Sequence, residues 1–137
     1  MLRNPDAVRP WQHVLDVLWG YLLLAEKLVT SREVAARAWN FGPLSGDQDS
    51  VRKLATRVMV GLGSGSVELD PSPRGPKETH VLRLNSTKVT EELGWKPLLT
   101  SDSCLAQTVS WYAEWRAGAD LGTTCRQDIA AYLDARC

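Results

Sequence analysis

The first long apolar stretch of the chain predicts a helix that has almost no polar face. Between Gln12 and Val29 apolar residues fall on every side of a helical wheel, interrupted mainly by Asp16 and by residues 26–27. Such a helix is normally covered on both sides, because exposing apolar side chains to water is unfavourable. The pattern therefore predicts a helix that lies between two layers of protein.

Several later stretches have the one-sided apolar pattern of amphipathic helices. Residues 51–62 form one apolar stripe behind polar residues 47–50, which can cap a helix. Shorter helices are predicted at 31–37 and from Asn85 or Ser86 to Leu93. A further helix is predicted at 101–118, and a capping box formed by Thr124 and Gln127 would begin the last one. The residues predicted to face inward in these last two helices are Leu105, Val109, Tyr112, Trp115, Ile129, Tyr132 and Leu133.

Three short runs are typical of β-strands. They lie at 38–43, 67–69 and 80–84, and a proline-rich stretch at 70–78 predicts a loop between the last two. The predicted fold class is therefore α+β, mostly helical with a few short strands.

Composition and charge narrow the functional classes. The 137 residues suffice for one domain, and 16 basic residues balance 16 acidic ones. A chain with no basic cluster is not expected to bind nucleic acid. No apolar run approaches the ~20 residues that cross a bilayer, so no membrane segment is expected. The three cysteines form no Cys-x-x-Cys pair, which favours free thiols in a reducing cytoplasm and no metal site.

Motif searches of the chain predict no catalytic residue. The glycines of 61–65 follow a predicted helix, whereas a dinucleotide-binding turn precedes one, so a helix stop is the favoured interpretation. His13, His80 and Cys125 are interpreted as structural residues. Arg9 leaves two interpretations open: a solvated surface charge, or an anion-binding side chain just before a helix N-terminus.

Four segments together resemble the CDP-glucose 4,6-dehydratases, which are extended short-chain dehydrogenases/reductases. They are RNPDAVRPWQHVLDVLWGYLLLAEKL, AWNFGP, LNSTKVTEELGWKP and SWYAEW, and the resemblance runs from Leu2 to Tyr132. LGWKP is shared by many nucleotide-sugar epimerases and dehydratases, whereas RPWQHV with GYLLLA is more specific. The complete enzymes oxidise C4 of the sugar with bound NAD, eliminate water across C5 and C6, and return the hydride to C6, in pathways of surface polysaccharide biosynthesis.

The resemblance implies a C-terminal portion of such an enzyme, without most of the Rossmann domain. The family's NAD-binding turn and Tyr-x-x-x-Lys pair have no counterpart here, because neither Tyr21 nor Tyr112 is followed by lysine at the required spacing. NAD is thus implied for the full-length family but not for this chain alone. Residues 1–43 would pack on the Rossmann domain, and 44–137 would form the nucleotide-sugar-binding subdomain.

The resemblance also implies a substrate-binding set. Arg9 would contact the pyrophosphate of a CDP-sugar, Asn40 would lie beside the nucleotide, and Glu78 would belong to a closing loop. At that loop Lys77 replaces the histidine of the relatives, which is a departure from the family pattern.

Three functions follow from these observations. The first is the sugar-nucleotide-binding half of a CDP-glucose 4,6-dehydratase, inactive alone. The second is a binding module that pairs through its apolar helix with a separate Rossmann half or with itself. The third is a related dehydratase or epimerase that acts on another nucleotide sugar.

Overall fold

The computed structural model describes residues 1–44, 46, 48–72 and 79–136. Most of the regular structure in that part is helical, which confirms the predicted helical character. The helices are α1 (Val14–Thr30), α2 (Arg32–Ala35), α3 (Val51–Leu62), α4 (Thr87–Leu93), α5 (Ser101–Arg116) and α6 (Leu121–Asp134). Helix α1 packs against α2 and α4, α3 packs against α5, and α5 packs against α6.

Several helix ends lie where the sequence predicts them. Ser50 begins α3 with its side chain accepting a hydrogen bond from the Lys53 N–H, as N-cap residues do. Gly63 and Gly94 end α3 and α4 with positive φ values of 65° and 67°, which glycine adopts without a steric penalty. Ser86 holds the N-cap position of α4 without a side-chain capping bond, and the Asn85 side-chain oxygen accepts from the Thr87 N–H at 2.9 Å.

The predicted start of the last helix is wrong. Helix α6 begins at Leu121, and its N-cap is Asp120, whose side chain accepts from the Gly122 N–H at 3.0 Å. Thr124 lies inside the helix and is buried, with its hydroxyl donating to the Glu114 carboxylate. The capping-box pattern was therefore placed one turn too late, because the aspartate before it provides a stronger cap.

The predicted strands are reduced to isolated β-bridges in the described residues. Leu2 pairs with Leu69, and Val8 pairs with both Ser50 and Val81. Residues 38–43 form no strand, which corrects that prediction. A strand needs a neighbouring strand to satisfy its backbone groups, and the described residues provide none beside this segment.

The predicted inward faces of α5 and α6 are only partly correct. Tyr132 is 5% exposed and therefore buried as predicted. Four other residues that were predicted to face inward are more than two-fifths exposed. Tyr112 and Ile129 border an open groove between α1, α5 and α6, which nothing in the described chain fills. The exposed residues that correct the prediction are Tyr112, Trp115, Ile129 and Leu133.

Helix α1 turns an apolar face to solvent and a charged residue inward. The exposed side chains recur at helical spacing and cover one third of the helix circumference. On the opposite face, Asp16 and Gly20 are buried. The prediction of an apolar helix at this place is thus confirmed, whereas the predicted cover on both sides is absent on one side in the described residues. We call this exposed surface the apolar stripe; its members are Val14, Leu18, Tyr21, Leu22, Leu28 and Val29.

In the described part of the chain, no helix combines the length and the apolar character that crossing a membrane requires.

Candidate functional site

A buried carboxylate on α1 joins three parts of the molecule. Asp16 is 1% exposed, and its carboxylate accepts from the backbone N–H groups of Leu98 (2.7 Å) and Leu99 (3.2 Å). The Tyr132 hydroxyl donates to the same carboxylate at 2.7 Å, and Arg136 donates at 3.1 Å. These four donors compensate the cost of removing the charge from water. They also tie α1 to α6 and to the segment after α4.

The hydroxyl that contacts this carboxylate remains a donor at neutral pH. Burial raises the pKa of Tyr132 above its ordinary value, and the hydrogen bond to Asp16 raises that pKa further. Arg136 donates to the Tyr132 hydroxyl and also to the Lys96 carbonyl oxygen, at 3.0 Å in the latter case. The buried charge is therefore balanced by one cation and by neutral donors.

Trp95 forms the second part of this arrangement. Its indole N–H donates to the backbone carbonyl oxygen of Asp16 at 3.0 Å. Its ring contacts Phe41 edge to face, with centroids 5.1 Å apart, and Phe41 contacts Tyr21 in the same way at 5.7 Å. Gly20 leaves room for this contact, because a Cβ atom there would lie 2.4 Å from the Phe41 ring. The aromatic ring of Phe41 is thus held between α1 and Trp95.

Asn40 lies on the outer side of the segment that carries Phe41. In this stretch Trp39 and Phe41 are half-buried, whereas Asn40 between them is exposed. The Trp39 indole N–H donates to the Ala35 carbonyl oxygen at 2.9 Å, and Phe41 is held as described above. Anchoring of the two aromatic neighbours therefore presents the Asn40 amide to solvent, where a ligand can reach it.

A cleft adjoins this segment. Its volume is about 650 Å³, and residues 42–44 form one wall while 84–87 and α4 form the other. The two walls are joined where the Gly42 N–H donates to the Ser86 hydroxyl oxygen at 2.8 Å. The cleft is lined by hydroxyl, amide and charged side chains as well as apolar ones, the polar ones being Asn85, Ser86, Thr87, Thr90, Glu91 and Lys96.

Arg9 lies at a different place, beside the bridge between residues 8 and 81. Its guanidinium donates to the carbonyl oxygens of Val8 (2.9 Å) and Thr79 (3.0 Å). Helix α1 begins at Val14. Arg9 therefore lies outside the first helical turn, which is where the helix dipole acts most strongly. No hydrogen bond joins Arg9 to Asn40 in the part of the chain that the structure describes.

The third predicted substrate-binding residue, Glu78, lies outside the described residues, as does Lys77. The arginine contact to Thr79 reaches the residue that follows this segment directly. Within the described ranges no group of three metal-ligating side chains is present.

His13 caps the first turn of α1. Its Nδ1 accepts a hydrogen bond from the Leu15 N–H at 3.3 Å, and the side chain borders the groove between α1, α5 and α6. Burial lowers the pKa of His13, against the opposing attraction of Asp16 and Asp128, which raises it. The capping bond exists only while Nδ1 is unprotonated, so this cap is sensitive to pH.

We predict that stability falls as pH drops below about 6.5, the ordinary pKa of His13. Because the folded-state pKa is depressed, the unfolded chain takes up a proton first, and folding loses free energy in acid. Replacing His13 with asparagine keeps a capping oxygen but removes the titration, so the difference in stability between the two proteins should shrink or reverse between pH 8 and pH 5. Urea unfolding of the two proteins at both pH values measures this.

Comparisons with known proteins identify the class of the chain. No family model matches it. UDP-glucose 4-epimerase of Pisum sativum is 30% identical over 94 residues, which are 69% of this chain and 26% of that protein. The dTDP-glucose 4,6-dehydratase of Streptomyces griseus is 31% identical over 112 residues, or 80% of this chain and 31% of that protein. The chain is therefore related to nucleotide-sugar epimerases and dehydratases.

Within this class, one relative matches almost the entire chain. The CDP-glucose 4,6-dehydratase of Salmonella typhimurium is 33% identical over 135 residues, which are 98% of this chain and 38% of that protein. The resemblance to CDP-glucose 4,6-dehydratases, which the sequence motifs indicate, is confirmed. The chain spans little more than a third of the length of this relative.

Proposed function

We propose that this chain is the sugar-nucleotide-binding part of a CDP-glucose 4,6-dehydratase. The observation that carries the proposal is the match to such an enzyme over 98% of the chain. In this proposal Arg9 contacts the pyrophosphate, Asn40 lies beside the nucleotide, and Glu78 contributes from the loop before Thr79. A related enzyme acting on another nucleotide sugar is the alternative within the same class, because Lys77 departs from the family pattern.

The geometry of Arg9 and Asn40 supports these roles. A guanidinium offers five N–H donors in a planar fork that matches phosphate oxygens. Two backbone carbonyl oxygens, those of Val8 and Thr79, fix its orientation before any ligand arrives. The exposed Asn40 amide offers both a donor and an acceptor, which suits the polar edge of a nucleotide base.

The described residues do not fit NAD, the cofactor that the family resemblance implies. A dinucleotide site needs glycines between a strand and the start of a helix. Here Gly63 has a left-handed backbone conformation and ends helix α3. This glycine therefore follows a helix, whereas a dinucleotide-binding glycine precedes one. We therefore assign no NAD contact to this chain and expect no turnover of CDP-glucose by the chain alone, even with added NAD.

A pairing function is the second proposal, and the apolar stripe of α1 favours it. Val29 is 88% exposed and Leu22 is 63% exposed. Large exposed apolar patches usually mark interfaces, so this surface favours a binding partner. Since the chain covers 38% of the length of the Salmonella typhimurium relative, we propose a Rossmann-type half as the occupant. Residues 1–43 would contact it and also carry Arg9 and Asn40, and 44–137 would form the rest of the ligand-binding part. Light scattering tests the alternative of self-association: a dimer mass would favour a second copy as the occupant.

Ligand binding tests the main proposal directly. We expect CDP-glucose to bind more tightly than the UDP-, GDP- and dTDP-sugars in calorimetric titrations. Arg9→Ala should weaken binding about tenfold or more, because a charge-assisted hydrogen bond contributes about 1.5–3 kcal/mol. Arg83→Ala removes an exposed cation and serves as the control, with unchanged affinity.

Three results would contradict parts of this account. A chain that binds none of the four sugars at millimolar concentrations would reject the binding function. Equal affinities of the Arg9 and Arg83 variants would reject the role of Arg9. Formation of a 4-keto product by the chain alone would reject the expected lack of turnover.

A further inference from the structure

We propose that Trp95 is the positioning residue for the segment that carries Asn40, and that it acts through Phe41. Residues 38–43 have no regular backbone structure, so a β-ladder does not fix their position. Their place on the molecule depends on side-chain anchors. The inference rests on the proposed function in so far as Asn40 is a nucleotide-binding residue.

Trp95 is itself held at several points. It is 0% exposed, its backbone N–H reaches the Val89 carbonyl oxygen at 3.4 Å, and its indole N–H reaches the Asp16 carbonyl oxygen at 3.0 Å. Gly94, with φ of 67°, turns the chain at the end of α4 so that the indole can enter the core. A buried aromatic ring with its polar atom satisfied has little freedom to move.

The position of this ring determines where Phe41 can lie. Phe41 has Trp95 on one side at 5.1 Å and Tyr21 on another at 5.7 Å, both in edge-to-face contact. The absence of a side chain at Gly20 allows Phe41 to approach the backbone of α1. Because Asn40 precedes Phe41 directly, a displacement of the Phe41 ring displaces the Asn40 amide as well.

Helix α4 places a second anchor for the same segment. Ser86 lies just before the helix and accepts from the Gly42 N–H, while Trp95 lies just after it and contacts Phe41. These two contacts come from the two ends of one short helix, which spans about 10 Å at 1.5 Å per residue. Lys88 within the helix adds a third by donating to the Ala38 carbonyl oxygen at 2.9 Å. A shift of Trp95 should consequently be felt at the Gly42 amide.

Hydrogen exchange tests the inference without any ligand. Trp95→Phe keeps an apolar ring but removes the indole donor. We expect the Gly42 amide to exchange about five- to tenfold faster, which corresponds to the loss of one hydrogen bond, and the Asn40 side-chain amide resonances to shift. Amides of α3 should keep their exchange rates. The matched control is Trp115→Phe, since Trp115 is 57% exposed, and this variant should leave Gly42 and Asn40 unchanged.

A second variant and a ligand titration separate the possible failures. Phe41→Leu weakens the contact from the other side and should accelerate Gly42 exchange in the same way. Unchanged Gly42 exchange in both folded variants, or a uniform loss of protection across all helices, would overturn the positioning role. If the wild-type chain binds CDP-glucose, the Trp95→Phe variant should bind it about five- to tenfold more weakly, whereas Trp115→Phe should not. If the wild-type chain binds none, the proposed function fails and the exchange rates alone decide the role of Trp95.

Discussion

Replacing Asp16 with asparagine is expected to lower the free energy of unfolding by about 3–5 kcal/mol, the usual effect of breaking a buried ionic network. The carboxylate accepts four hydrogen bonds, three at Oδ1 and one at Oδ2 from the Leu99 N–H. Asparagine has no negative charge, and its NH₂ group would face at least one N–H donor from which it cannot accept a hydrogen bond. Arg136 would then face no opposite charge beside Tyr132. Since a small domain has only about 5–15 kcal/mol of stability in total, this single change is expected to bring the chain close to unfolding.

Urea denaturation monitored by circular dichroism measures this effect. Tyr132→Phe removes one of the four donors and should cost about 1.5–3 kcal/mol, the range for a hydrogen bond to a charged group. Asp134→Asn, at the exposed end of the same C-terminal helix, is the control and should change stability by less than about 0.5 kcal/mol. An Asp16→Asn variant as stable as the Asp134→Asn variant would refute the central role of the buried carboxylate.

The importance of Asp16 could not be read from the sequence pattern. On a helical wheel it is an interruption in an apolar helix, but its partners lie 82 residues away at Leu98 and 120 residues away at Arg136. Periodicity reports which side of a helix is apolar and not what other segments place against it. A lone acid among apolar neighbours was the one available signal.

The helices were predictable because their signals are local. Caps such as Ser50 and glycines such as Gly94 act within a few residues of the helix end that they define. The strand prediction for 38–43 failed because a strand depends on a neighbour elsewhere, and apolar character alone does not supply one. The same reasoning explains Tyr112: its exposure depends on whether another layer covers α5, which the pattern within α5 does not show.

The residues of the candidate site could be predicted from the family resemblance rather than from the hydrophobic pattern of the sequence. Arg9 was ambiguous on physical grounds, and Asn40 carried no signal of its own outside the family motif. The structure adds the physical reasons for their positions, which are two carbonyl contacts for Arg9 and two anchored aromatic neighbours for Asn40. Trp95, by contrast, lies in the widely shared LGWKP motif, and only its contacts reveal a link to the candidate site.

The second large effect is expected at Gly20. An alanine within an exposed helix normally stabilises by about 1 kcal/mol relative to glycine. Here the added Cβ would lie 2.4 Å from the Phe41 ring and 3.0 Å from the Trp95 indole nitrogen. Overpacking of this kind costs about 1–3 kcal/mol, and a gap this short between rigid aromatic rings belongs at the upper end. We therefore expect Gly20→Ala to lower the free energy of unfolding by about 2 kcal/mol, despite the better helix propensity.

A double-mutant cycle separates the two opposing contributions. In a Phe41→Ala background the 2.4 Å contact is absent and only the 3.0 Å approach to the Trp95 indole nitrogen remains. The Gly20→Ala change should then be close to neutral or stabilising by up to about 1 kcal/mol, which is its helix-propensity value. The destabilisation should thus be largely lost in the second background, and thermal or urea unfolding of the four proteins measures the difference. Equal effects of Gly20→Ala in both backgrounds would mean that Phe41 does not lie against Gly20. The segment that presents Asn40 would then be anchored somewhere other than on helix α1, because the close approach of Phe41 to this glycine is what fixes it there.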